Sequence, residues 1–288
     1  MCDEPPAVAV SVVIPTRDRP ELLRRCLEAI ATGTEASYEV VVVNDGGGEV
    51  VLPSDVSGRV VESGGNGPAH ARNCGIRSAR GDIVVFTDDD TIPHPGWIDV
   101  AVGVLSCSPT LVGVEGPVEC RDFDALYEHS VRNRVGGAHL TCNIAYRRAA
   151  LEQVGGFDES FPAPHCEDRD LGARVQRIGA IGFVETMSVE HPPRPIGWLD
   201  LARRARLLES EWLLYRKHPG MAPPRWSVRW APLMRIARRW QRLAVTPGVL
   251  RRSPRRWVRF VSLAAAQLGI GLAVTLTRWR NFERVAPT

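Results

Sequence analysis

The sequence predicts an α/β domain, a mostly parallel central sheet with flanking helices, followed by a basic helical C-terminal extension. Three observations predict it. Short β-branched runs alternate with helical patterns in the first third of the chain, the order that builds parallel sheets with right-handed crossovers. Each run ends in a polar cluster, where ligands of open parallel sheets sit. Charge also divides the chain. Residues 200–288 carry 19 Lys and Arg against 4 Asp and Glu, a balance of +15, whereas 1–199 carry 17 and 29, a balance of −12.

The elements follow in order. Ala7–Ile14 is a β-branched run that reads as a buried strand stopping at Pro15. Pro20-Glu21 opens a helix with Leu22, Leu23, Cys26, Leu27 and Ile30 at helical spacing. Tyr38–Val43 is the next strand and runs into the turn Asn44-Asp45-Gly46-Gly47, with Arg59–Glu62 a third. Gly67–Ala79 reads as a helix and Asp82–Phe86 as a buried strand stopping at Thr87-Asp88-Asp89-Asp90. Further on, the sequence predicts a helix over Gly96–Leu105, strands over Leu111–Glu119 and His139–Tyr146, a helix over Glu167–Ile178, and a strand over Phe183–Val189.

Pro192-Pro193-Arg194-Pro195 marks the expected boundary between a domain over 1–195 and an extension over 196–288. Helices are expected at Trp198–Lys217 and Arg225–Leu243. Val258–Leu276 is mostly apolar, bracketed by Trp257 and Trp279 and flanked by arginines, with Arg259 and Gln267 interrupting it. Those interruptions weigh against a bilayer span, and the Trp and Arg flanks favour the interface.

Composition excludes several classes. A hydrophobic content of 44% fills a core and argues against disorder. The acidic first part argues against nucleic-acid binding, which needs clustered cations. The seven cysteines form no CxxC pair, and the N-terminus shows no secretory signal. A reducing, cytoplasmic setting is expected, at the inner face of the membrane if the extension touches lipid.

Four features carry chemistry. The run Asp88-Asp89-Asp90 is costly unless a cation sits among its carboxylates. A divalent ion with a diphosphate is a natural occupant, and oxygen ligands suit Mg²⁺ or Mn²⁺. A solvated acidic turn is the alternative. Glu167-Asp168-Arg169-Asp170 opens a helix, where its carboxylates either cap the first turn or supply a general base. His191, before two prolines, offers a neutral imidazole to a metal. Gly65–Gly75 permits close backbone approach and holds Arg72, suited to phosphate oxygens.

With these residues in view, the sequence resembles the family 2 inverting glycosyltransferases of GT-A fold, a Rossmann-like architecture. The matching stretches are Ser11–Arg19, Val41–Gly46, Gly67–Asp90, Cys142–Asp158 and Glu167–Leu171, in the family's order. The resemblance implies a nucleotide-sugar half over about 7–92 and an acceptor half over about 93–195. It implies that Thr16, Arg17, Asp45 and Arg72 contact the nucleotide, with Asp45 near the base, and that Asp88 sits by the ribose or sugar. Pro15 and Asp89 join the donor-contacting set. Asp90, in the position of the DXD motif, and His191 would ligate the metal, and Asp168 would be the general base, with Glu167 its competitor. The turn reads Asn-Asp-Gly-Gly where the family commonly has Asp-Asp-Gly-Ser.

The activity so implied is transfer of a sugar from a nucleotide-sugar donor to an acceptor hydroxyl, with inversion by single displacement. UDP is the expected nucleotide, dTDP and GDP the alternatives. The expected acceptor is a hydroxyl of a glycan, a lipid-linked molecule or a small molecule. A nucleotidyltransferase of similar fold would leave the Glu-Asp pair and His191 idle. A non-catalytic transferase-like binding protein would not need intact acidic motifs. The extension is expected to be a basic helical appendage, an acceptor-site lid, an oligomer contact, or a foot in peripheral contact with membrane through 251–280.

Overall fold

The computed structural model describes residues 9–54, 56–222, 229–245 and 254–284. The chain divides into two compact units, Met1–Arg121 with Ser130–Pro192, and Asp122–His129 with Pro193–Thr288. In chain order the first unit begins β1 (Val10–Thr16), α1 (Pro20–Ala31), β2 (Tyr38–Asn44), β3 (Gly58–Glu62), α2 (Pro68–Ser78) and β4 (Ile83–Phe86). It continues with β5 (Ile92–Pro93), α3 (Trp97–Cys107), β6 (Leu111–Glu115) and β7 (Val118–Glu119). After β8 (Glu128–His129), which belongs to the second unit, come β9 (Ile144–Arg147), α4 (Arg148–Gln153), α5 (Glu167–Val175), β10 (Ala180–Phe183) and β11 (Val189–Glu190).

Seven strands form one sheet in the order β10-β6-β9-β4-β1-β2-β3. β3, β2, β1 and β4 are mutually parallel, and β9 runs antiparallel to both β4 and β6. Side-chain alternation along the strands sorts the core into two layers. Val10, Val12, Ile14, Val40, Val42 and Val85 pack on Leu23, Cys26, Leu27 and Ile30 of α1 and on Trp97, Ile98, Ala101 and Leu105 of α3. Val13, Val41, Val43, Val84 and Phe86 pack on Ala69, Ala71 and Ile76 of α2 and on Leu171 and Val175 of α5. α2 lies close on β1 because residue 75 is glycine: a Cβ there would fall 2.3 Å from Val13 Cγ1.

Several expected boundaries shift for identifiable reasons. β1 runs through Pro15 rather than stopping there, and Ala7 and Val8 lie outside the described residues. Val13 O accepts from Thr87 N on the β4 side and Thr16 O accepts from Asp45 N on the β2 side. By alternation Pro15 faces the β4 side, where that strand has already ended, so its missing N–H breaks no ladder bond.

The strand expected over Leu111–Glu119 divides at Gly116-Pro117, and β7 joins a separate three-stranded sheet with β11 and β5. A Cβ at residue 116 would meet Met187 O, so this close crossing needs glycine. The strand expected over His139–Tyr146 shrinks to β9, because His139 adopts φ +52°, outside extended geometry. The strand expected over Phe183–Val189 is a turn, closed by Met187 N bonding Val184 O, between β10 and β11.

In the second unit β8 pairs antiparallel with β12 (Arg194–Pro195). α6 (Trp198–Arg203), a 3₁₀ turn (Arg204–Leu207) and α7 (Leu208–Lys217) follow, where one helix was expected. α8 (Ala231–Val245) and α9 (Pro254–Arg284) complete it. Arg225, Arg251 and Arg252, also named in the sequence, lie outside the described residues. The core joins Leu126, Leu201, Ala202, Trp240, Phe260 and Leu263. Gln267 and Arg259, the polar interruptions of the apolar run, point inward. Trp240 Nε1 donates to Gln267 Oε1 at 2.9 Å, and Arg259 Nε donates to Leu126 O at 2.7 Å.

Candidate active site

The carboxyl ends of β1, β2 and β4 lie side by side in register, Thr16 opposite Asn44 and Val13 opposite Phe86. The residues just after them therefore share one edge of the sheet, and most of the candidate residues gather there. Pro15 and Thr16 end β1, and Arg17 is exposed beyond it. Asp45 follows β2 and is buried, with Ser63 Oγ donating to its Oδ1 at 2.7 Å and Gly67 N to its two oxygens at 3.1 and 3.2 Å. Its carboxylate thereby ties the β2 turn to the start of α2.

The three acidic residues after β4 differ in role. Asp88 is half-buried and accepts from Arg72 Nη2 at 2.8 Å. Asp89 is 3% exposed, with Thr16 Oγ1 donating to it at 2.8 Å and Arg19 Nη1 at 3.1 Å. Burial still pushes its carboxyl up to about 6, against the lowering by Arg19 and Thr16. Both Asp89 oxygens are taken up in latching the β4 turn to β1. Asp90 is buried, and His191 Nε2 lies 3.7 Å from its Oδ1.

Arg72 joins the two acidic motifs. It is buried on α2, and its second Nη donates to Glu167 Oε1 at 3.2 Å, so one guanidinium spans Asp88 and Glu167. The cation also lies over the Phe157 ring, 5.7 Å from the centroid. Glu167 and Asp168 open α5, where the unpaired N–H groups of the first turn favour carboxylates. Burial first, then the neighbouring Asp168 charge, pushes Glu167 up to about 7 against the pull of Arg72. Burial also raises Asp168. Glu167 is 5% exposed while Asp168 is half-buried, its Oδ1 accepting from Arg169 N at 2.7 Å.

His191 follows β11 and is held by Ser130. Ser130 Oγ donates to His191 O at 2.7 Å and lies 3.1 Å from Nδ1. With the single hydroxyl proton on the carbonyl, Oγ is left to accept from the ring, and Ser130 so holds the imidazole with its Nε2 edge toward Asp90. Among the described residues no three His, Cys, Asp or Glu side chains are grouped to hold a metal by themselves.

Two of these residues carried no signal of their own. Arg19 stands in a charged run that reads as solvated surface, and Ser130 lies in the irregular stretch before β9. Only the fold brings Arg19 to Asp89 and Ser130 to His191.

Comparison with known proteins bears on the family and the fold. The chain is 29% identical over 245 residues to the pre-mycofactocin glycosyltransferase of Mycobacterium tuberculosis, covering 75% of this chain and 49% of that protein. It therefore spans about half the length of that relative. It is 28% identical over 231 residues to the glycosyltransferase AglE of Haloferax volcanii, covering 72% and 75%. The fold resembles the mannosyltransferase PcManGT of Pyrobaculum calidifontis, solved with GDP-Man and Mn²⁺, at TM-score 0.61 and 22% identity over 91% of this chain and 86% of that one. It also resembles residues 1–349 of S. aureus TarS, solved with UDP-GlcNAc, at TM-score 0.58 and 14% identity over 95% and 92%. These likenesses bear out the GT-A fold. The family described as Glycosyl transferase family 2 matches residues 11–155, and with the sheet edge and its acidic turn on the page, the chain belongs to that family.

Proposed function

We propose that this chain is an inverting glycosyltransferase that moves a sugar from a nucleoside diphosphate donor to an acceptor hydroxyl, with Asp168 as general base. The observation that carries this reading is the Arg72 bridge, 2.8 Å to Asp88 and 3.2 Å to Glu167. Asp88 of the acidic turn and Glu167 of the Glu-Asp helix start share one buried cation, which supports a ligand held between the two motifs. A nucleotidyltransferase would leave Glu167 and Asp168 without work.

Asp168 is the better base of the two. Glu167 is buried and committed to Arg72, whereas Asp168 keeps access to solvent. Its raised affinity for protons suits removal of a hydroxyl proton as that oxygen attacks the sugar. Attack opposite the departing diphosphate inverts the anomeric carbon. The proton goes to Asp168, and the bond electrons leave with the diphosphate.

The donor set fits a divalent ion. Asp90 Oδ1 and His191 Nε2 lie 3.7 Å apart, a carboxylate oxygen and an imidazole nitrogen of the kind such an ion takes, and Ser130 holds the ring in place. Asp90 and His191 would hold Mg²⁺ or Mn²⁺, which when bound supplies Lewis-acid neutralisation of the diphosphate charge. Asp45, Thr16, Pro15 and Arg17 form the nucleotide end, and Asp88 the ribose or sugar end. UDP and GDP donors are both candidates, given UDP-GlcNAc in TarS and GDP-Man in PcManGT. The six described cysteines are free thiols, which supports a reducing cytoplasmic setting.

Asp168→Asn tests the assignment. Transfer is expected to fall by about 10²–10⁴-fold while donor affinity by calorimetry is retained. Turnover like that of the unaltered protein removes Asp168 from the base role.

A further inference from the structure

The second unit carries a surface that the catalytic reading does not use. α9 buries one side only. Phe260, Leu263, Gln267 and Val274 face the core of the unit, Gln267 taking a bond from Trp240 and giving one to Leu201 O. The opposite side is exposed. Val258, Val261, Ala265, Gly269, Leu272 and Leu276 recur at three- and four-residue steps, and all six are exposed to solvent. At 100° per residue they fall within an arc of about 80°, extending about 27 Å along the helix. No charged or hydrogen-bonding side chain interrupts that arc. Val258 is 69% exposed, Val261 54% and Leu276 53%, unusual for a face this continuous.

We propose that this face of α9 docks on the surface of an anionic lipid bilayer. Charge names the occupant. Residues 200–288 carry +15, and exposed Arg255 stands three residues before Val258 on the same side. Trp257, half exposed beside it, is the side chain that settles at the headgroup boundary. An apolar stripe with a basic neighbour and a Trp at its end matches a helix lying in the interface. A second copy of the chain would bring two strongly basic units together. A helix spanning the bilayer would have to abandon the Gln267 bonds and those of Arg259 to Leu126 O and Ile196 O. The inference stands apart from the catalytic reading, since it uses none of the site residues.

The full chain is floated on phosphatidylcholine vesicles with and without phosphatidylglycerol, beside the double variant Val261→Glu and Leu272→Glu. Both positions are exposed, so the buried face is kept, and donor hydrolysis serves as the folding control. The unaltered chain is expected to float only with the anionic vesicles and to be released by salt, and the variant to bind about tenfold less. Should the variant misfold, quenching of Trp257 by brominated lipid, lost in Trp257→Phe, reads the same contact. Absence of flotation on anionic vesicles overturns the proposal. So does a dimer by light scattering that the stripe variant abolishes without any vesicle binding, which makes the occupant a second copy. Resistance to alkaline carbonate extraction overturns it in favour of a span.

Discussion

At the scale of residues, the site is a set of carboxylates kept in place by cations and hydroxyls. Arg72 holds Asp88 and Glu167, Arg19 and Thr16 hold Asp89, and Ser130 holds His191. Glu167 and Asp168 titrate as a pair, because removing both protons leaves two charges side by side, one buried and one half-buried. Burial and the mutual charge raise Glu167 to about 7, so transfer is expected to rise with pH up to that region. Glu167→Gln removes the group that titrates near 7, so the limb of kcat/KM in that region is expected to move to lower pH, where Asp168, raised by burial, titrates alone. An unmoved limb in a pH–rate profile counts against the coupling. The acidic turn, the Glu-Asp pair and His191 were legible in the sequence because three chemically unusual groups stood at element ends. Arg19 and Ser130 were not, because an arginine or a serine is common on any surface and only its partner gives it meaning.

At the scale of elements, α5 is the part that must be placed accurately, since it presents Asp168. It packs on the loop before β9 through Gly172, where a Cβ would fall 2.2 Å from His139 Cδ2. That loop is organised from β6. Glu115 accepts from Asn133 Nδ2 at 3.0 Å and from His139 N at 2.9 Å, with the His139 ring 3.3 Å away. Gly172→Ala gains about 1 kcal/mol of helix propensity and meets an overpacking cost of about 1–3 kcal/mol. The expected net result is a lower unfolding midpoint in urea together with a lower kcat, as Asp168 is displaced. A variant more stable than the parent with full kcat would show that α5 has room to spare. The sequence predicted α5 from its spaced apolar residues, but not the contact that forbids a side chain at 172.

At the scale of the whole molecule, buried carboxylates set the response to pH. Glu39 and Glu115 are held below their ordinary value of 4.5 by hydrogen bonds and cations, Arg59, Ser11 and the Arg80 N–H for the first, His139 and Gly137 N for the second, all working against burial. A depressed carboxyl contributes stability above its unfolded value, and that stability is lost as pH falls through the folded one. Glu167 acts in the opposite sense: its raised value costs stability as pH rises from about 4.5 toward about 7. Urea midpoints measured against pH are therefore expected to peak in mildly acidic buffer and fall on both sides. Glu115→Gln should flatten the acid side, and an acid side as steep as the parent's would assign that loss to other carboxylates.

The sequence by itself determined the parallel half of the sheet, the strand ends where polar groups collect, the charge division, and the family. Those features are local: hydrophobic period and turn chemistry are written in neighbouring residues. Tertiary structure decided the antiparallel β9, the break at Gly116-Pro117, the addition of Asp122–His129 to the second unit, and the inward turn of Arg259 and Gln267. It also decided that one arginine spans the two acidic motifs. These depend on contacts between residues far apart in the chain, and burial or a close approach is a property of the partner as much as of the residue.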